Sequence, residues 1–136
     1  MESLPTTPEK IEWVHQIMKN SILSISSSVS AYDAAKMMED ANVGALVVME
    51  NNHPVGIITD RDFAIKVVAH AFPLDTPVRR IMSHPITSIG PHATLWVASE
   101  LMTSCKLRKL PVIDDDKVIG IITATELINY MVLNAI

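Results

Sequence analysis

The chain contains a single cysteine, Cys105, among 136 residues. One thiol excludes an intramolecular disulfide framework and a cysteine-based zinc site. It lies in a helical stretch, so a buried structural thiol is expected rather than a nucleophile. Glycine is scarce too, at four residues, too few for a glycine-rich loop that wraps phosphate. Gly-x-Ser-x-Gly is absent, and no Cys/His pair stands at catalytic spacing. No enzymatic activity is expected. The five histidines are scattered without metal-ligand spacing, so no metal is expected either. Positive charge is not in excess. The formal net charge of −4 makes nucleic acid an unfavoured partner. No apolar run reaches the ~20 residues of a membrane helix. Residues 1–10 carry two prolines and two glutamates and lack the apolar stretch of a secretory signal. The expected location is cytoplasmic, with no membrane partner.

What is present is apolar aliphatic. Apolar residues make up 49% of the chain and aromatics only 4%, so the core must be built from Val, Ile, Leu, Met and Ala. The order of these residues repeats. Gly56-Ile57-Ile58-Thr59 returns as Gly120-Ile121-Ile122-Thr123, 64 positions later. The same offset pairs Val14 with Val78, Ile22 with Ile86, Ala34 with Ala98, Met38 with Met102, Leu46 with Leu110 and Val68 with Val132, with no gap. The chain is therefore an internal duplication.

Each copy reads as strand, helix, two strands, helix. Ile22–Ile25 and Ile86–Ile89 are short extended segments. Ala31, Ala34, Ala35 and Met38 mark one helix face, and Leu95, Ala98, Met102 and Cys105 the matching one. The apolar runs Ala45–Met49 and Val55–Thr59, and Leu110–Ile113 and Val118–Ile122, predict strands covered on both sides. Asn51–Pro54 and Asp114–Lys117 have turn chemistry between them, so the aspartate run reads as a turn and not a metal site. Phe63, Val67 and Val68, then Leu127, Met131 and Val132, give the last helices an apolar face. Thr7-Pro8 and Thr76-Pro77 look like helix starts, a cap followed by proline; the first would open a helix with Ile11, Val14 and Met18 inward. The predicted fold is α+β, two β-α-β-β-α repeats related by pseudo-twofold symmetry. One module spans 1–136, with a first repeat over 10–71, a linker over 72–80 and a second repeat over 81–136. Half of it buries too little surface to stand alone.

Two units that each end a strand in Gly-apolar-x-Thr-x-x-acid resemble the CBS-domain pair, or Bateman module. The motifs are Gly56-Ile57-Ile58-Thr59-Asp60-Arg61-Asp62 and Gly120-Ile121-Ile122-Thr123-Ala124-Thr125-Glu126. Arg108-Lys109-Leu110-Pro111-Val112-Ile113 also resembles the start of the family's middle strand. The resemblance covers residues 10 to 136. It implies two stacked sheets, two related clefts for adenosine-containing ligands such as AMP, ADP, ATP or S-adenosylmethionine, a disc-like homodimer, and a regulatory role without chemistry. No cofactor is implied beyond a regulatory adenine nucleotide. The regulated protein, unknown in identity, would be a separate polypeptide.

Carried over by position, the resemblance assigns a main cleft to Thr59, Arg61, Asp62, Ile86, Thr87, Arg108 and Lys109. A carboxylate and a hydroxyl would hold the ribose, and cations the phosphates. Arg61 adds a third charge there or points into a dimer interface. A second cleft would use Ile22, Leu23, Gly44, Ala45, Thr123 and Glu126. Gly44 and Ala45 replace Arg108 and Lys109, Val47 replaces Pro111, and Glu126 carries one methylene more than Asp62. That cleft is expected to be empty or weak. A plainer reading stays open for both Thr-x-x-acid motifs, since each fits a helix capping box. Arg108 and Lys109 also fit solvated charges at a strand edge, and Trp13 and Trp96 fit either dimer contacts or partial burial. Two further functions remain beside the sensor: a structural dimerisation module with degenerate clefts, and a CBS protein that binds nucleic acid.

Overall fold

Residues 11–134 are described in the computed structural model. The duplication is visible in its turns and caps. Both hairpins close through two residues of positive φ, Asn51-Asn52 (50° and 63°) and Asp115-Asp116 (50° and 64°). This left-handed pair matches the twist of the strands, and Asn and Asp tolerate it. Helices α2 (Ala31–Ala41) and α4 (Leu95–Cys105) start alike. Ser30 and Thr94 accept from Asp33 N and Val97 N at 3.0 and 3.1 Å. They also end alike. Asn42 and Lys106 turn left-handed, and Val43 N and Leu107 N reach back to the Met38 and Met102 carbonyls.

The first sheet runs β1 (Leu23–Ser26), β2 (Ala45–Glu50), β3 (His53–Thr59), with β1 parallel to β2 and β2 antiparallel to β3. In the second, β4 (Lys109–Asp114) pairs antiparallel with β5 (Lys117–Thr123). The strand expected over Ile86–Ile89 is reduced to one parallel bridge, Ile89 with Val112. Pro111 explains the loss. Ile89 N bonds the Pro111 carbonyl at 3.1 Å and Ile113 N bonds the Ile89 carbonyl at 2.9 Å. The next bond of a parallel ladder needs the N–H of residue 111, which proline lacks. In the first repeat Val47 supplies that N–H, and β1 extends back to Leu23.

Each repeat has its own core. Ile25, Leu46, Val48, Ile58, Ala34 and Met38 build the first, and Ile89, Leu110, Val112, Ile122, Ala98 and Met102 the second. The flanking segments are integral to them. Val78 and Ile81, beyond the last helix of the first repeat, are fully buried in its core. Val14, in the short α1 (Val14–Ile17), is the positional twin of Val78 and is fully buried in the second core. The segment around Val14 thus packs on the second repeat before the chain builds the first. Each crossing is fixed by a backbone pair, Lys19 with Ile121 and Ser83 with Ile57. The crossings account for the motif glycines. A Cβ on Gly56 would lie 2.8 Å from the Ser83 carbonyl oxygen, and one on Gly120 would lie 2.6 Å from that of Lys19.

Several sequence expectations need correction. Cys105 is exposed, because α4 ends on it and Leu107 folds back to fill the inward position. Ala35 is exposed while Met37 packs on the core. Thr76 caps nothing. It is buried and donates to the Pro73 carbonyl at 2.6 Å, and the following turn, Val78–Arg80, is a short 3-10 helix. Val68, Met131 and Val132 lie on outer faces, more than 60% exposed. Trp13 and Trp96 are 40% and 71% exposed. The Thr7-Pro8 start lies outside the described residues.

Candidate functional site

The repeats meet at the positional twins Ile57 and Ile121, which form a small apolar cluster with Ala45 and Ile22. Beside it opens a groove of about 1450 Å³. The groove draws on the ends of β3 and β5, the starts of β2 and β4, and the C-terminal turn of α4. Residues assigned to each of the two expected clefts are among its lining.

The charge in this groove opposes that of the chain. Lys19, Arg61, Lys66, Lys106, Arg108 and Lys109 line it, against two acids, Asp60 and Asp62. The chain as a whole carries −4. Low-dielectric walls concentrate such a field and favour an anionic guest.

Of the residues assigned to the main cleft, Thr59, Arg61, Asp62, Arg108 and Lys109 line the groove. Ile86 and Thr87 are half-buried and are not among its lining. Helix α3 (Asp60–Asp62), which continues as a π-helical turn over Phe63–Val68, starts directly after Thr59. The Asp62 carboxylate turns back on that start. Oδ2 accepts from Thr59 N at 2.8 Å and from Thr59 Oγ1 at 3.3 Å, while Oδ1 pairs with Lys66 Nζ at 3.2 Å. Lys66 also donates to the Ile81 carbonyl at 2.8 Å. The capping reading and the ligand reading thus share the same atoms. A carboxylate has about four acceptor positions, so Asp62, though buried, keeps capacity for a hydroxyl donor. Arg108 and Arg61 are exposed, and Lys109 is half-buried.

In the second half Ile22, Gly44, Ala45 and Thr123 line the groove, while Leu23 and Glu126 are not among its lining. Helix α5 (Ala124–Asn134) follows Thr123. The extra methylene of Glu126 does not prevent the same closure: Oε2 accepts from Thr123 N at 2.9 Å and also from Thr123 Oγ1. Lys19 Nζ stands 3.2 Å from Oε1. That ion pair lacks hydrogen-bond alignment, and among the described residues Oε1 is buried without a hydrogen-bond donor. Burial pushes the Glu126 carboxyl up. Donors from Thr123 and its own backbone, with the Lys19 ammonium beside it, outweigh burial and hold it below the ordinary range.

Sequence reasoning missed Lys66, Lys19, Lys106 and Asp60. Lys66 was legible, four residues after Asp62 on one helix. Lys19 was not, since only the crossing of the N-terminal segment onto the second repeat brings it there. Among the described residues no three His, Cys, Asp or Glu side chains cluster as a metal site. Among the described residues no helix is long and apolar enough to cross a membrane.

The CBS domain model matches residues 14–69 and again 78–133. A CBS domain-containing protein of Bacillus subtilis, YhcV, is 34% identical over 119 residues, 87% of this chain and 85% of that protein. The structure of a putative signal-transduction protein with CBS domains from Burkholderia ambifaria superposes with a TM-score of 0.82 at 31% identity, covering 90% of this chain and 95% of that one. A hexameric CBS-CP12 protein from bloom-forming cyanobacteria gives 0.81 at 26% identity, over 87% and 67%. CBS pairs are in general regulatory, ligand-binding modules and not catalysts. With the domain model matched over both copies and a relative 34% identical along most of its length, this chain belongs to the CBS-domain family.

Proposed function

We propose that this CBS pair senses an adenosine-containing ligand, AMP, ADP, ATP or S-adenosylmethionine, in the groove between its repeats and signals to a separate protein. The observation that carries the proposal is the convergence, in one groove, of Thr59 and Asp62 from the first repeat with Arg108 and Lys109 from the second. Asp62 and Thr59 would take the ribose hydroxyls. Arg108, with Arg61 on the same groove, would take phosphate oxygens. One site per chain is expected, on the side where the Arg108-Lys109 pair stands. A guest that touches both repeats favours one arrangement of them, in proportion to its differential affinity for the two states.

Self-association belongs to the same proposal. The outer faces of the last helices expose Val68 and its twin Val132, with Met131 alongside. A homodimer formed through these faces would carry the change outward.

Isothermal titration with AMP, ATP and S-adenosylmethionine, beside Asp62→Ala, tests the reading. Binding at one site per chain is expected, weakened about tenfold or more in Asp62→Ala by the loss of hydrogen bonds to a charged group. If none of the three binds, the module is a structural platform.

A further inference from the structure

Lys109 is already engaged. Its ammonium crosses from β4 of the second repeat to the first, where it donates to the Gly44 carbonyl at 3.1 Å and to Asp60 Oδ1 at 3.3 Å. Three features show that the local sequence provides for this contact. Gly44 leaves room for it, since a Cβ there would lie 2.8 Å from Lys109 Nζ. Asp60 is held in place from both sides: its N–H reaches the Gly44 carbonyl at 3.3 Å, and its Oδ1 accepts from Arg61 N at 2.9 Å. The contact also has no counterpart in the other half. The twins of Lys109, Gly44 and Asp60 are Ala45, Arg108 and Ala124. There only the backbone bond persists, from Ala124 N to the Arg108 carbonyl at 2.8 Å.

We propose that Asp60 is an internal competitor for the ligand's phosphate: in the free protein it holds Lys109 against the first repeat, and a bound phosphate takes Lys109 over and opens this tether. The proposal rests on the nucleotide-sensing reading and adds a specificity determinant to it. Phosphate binding becomes an exchange of one anion for another on the same ammonium. The affinity gained from a phosphate is then reduced by whatever the Asp60 contact contributes. The tether also couples the guest to the arrangement of the repeats, because it is lost only when the guest carries an anion at this point. A nucleoside without phosphate would leave it closed.

The effect is bounded by exposure. The Asp60 side chain is 71% exposed and that of Lys109 26%, so the contact is worth no more than an exposed ion pair. Its removal should raise phosphate-dependent affinity by about two- to fivefold.

The test measures AMP and adenosine binding by titration calorimetry for the wild type, Asp60→Asn and Gly44→Ala. Asp60→Asn keeps the side chain's shape and removes its charge. Gly44→Ala displaces the ammonium sterically and leaves every charge in place. Both should tighten AMP by about two- to fivefold at low salt, while Asp60→Asn leaves adenosine unchanged and loses its AMP gain as salt rises. Unchanged or weaker AMP binding in Asp60→Asn overturns the competitor. A gain in Asp60→Asn without one in Gly44→Ala overturns it as well, because long-range charge would then suffice. If wild type and both variants bind neither compound, the nucleotide reading itself has failed, a result distinct from the other two.

Discussion

The two halves of the groove are the same backbone solution with different side chains. Each offers a Thr at a strand end, an acid three residues later that returns to the Thr N–H, and a lysine on that acid. They differ at the strand starts. The second repeat projects Arg108 and Lys109 there, and the first offers Gly44 and Ala45. Even the lysines come from different places. Lys66 is local, four residues from Asp62, whereas Lys19 arrives on the exchanged N-terminal segment. The comparison teaches that the duplication preserved what the fold needs and let the cleft surface diverge. Ile57 and Ile121 meet their own twins, and Leu46 and Leu110 hold equivalent, fully buried places in the two cores.

The largest effect tests the conserved part of this symmetry. Leu46→Ala and Leu110→Ala should each destabilise the chain by about 2–5 kcal/mol, as deletions of buried leucines do. The two costs should agree within about 1 kcal/mol when read by urea denaturation. A large difference between them would show that one core dominates.

A smaller effect tests the diverged part. The Glu126 carboxyl is held below its ordinary range. A group of that sign contributes stability that is present above its unfolded pKa and is lost as pH falls through the folded one. Glu126→Gln should therefore be less stable than the wild type near neutral pH, by up to about 1 kcal/mol. The gap should begin to narrow as pH falls below about 4.3, the unfolded value, and close only below the lowered folded one. Denaturation midpoints at pH 7 and pH 3.5 check this. A gap equally large at both pH values would assign Glu126 a packing role only.

Most of the fold was legible because it is local and doubled. Helix faces, turn pairs and the Gly-x-x-Thr motif repeat in one register, so each copy supports the reading of the other. What was not legible depends on contacts between distant segments. Nothing near Val14 in sequence shows that it completes the second core, or that Lys19 meets Glu126. The shortened Ile86–Ile89 strand was readable in principle. Proline at 111 removes the one N–H the ladder needs, but its consequence appears only once the parallel register is known. In the site, the residue types at Thr59, Asp62, Arg108 and Lys109 were readable by position. Their existing partners were not, because Asp60 and Lys109 stand 49 residues apart and meet only through the packing of the repeats.

The central claim is that cations from the second repeat act on a guest held by the first. Titration of Arg108→Ala with AMP and with adenosine tests it most directly. The account predicts that AMP weakens about tenfold or more, as expected for lost charge-assisted bonds, while adenosine is unchanged. Equal changes for both compounds, or none for AMP, would contradict it.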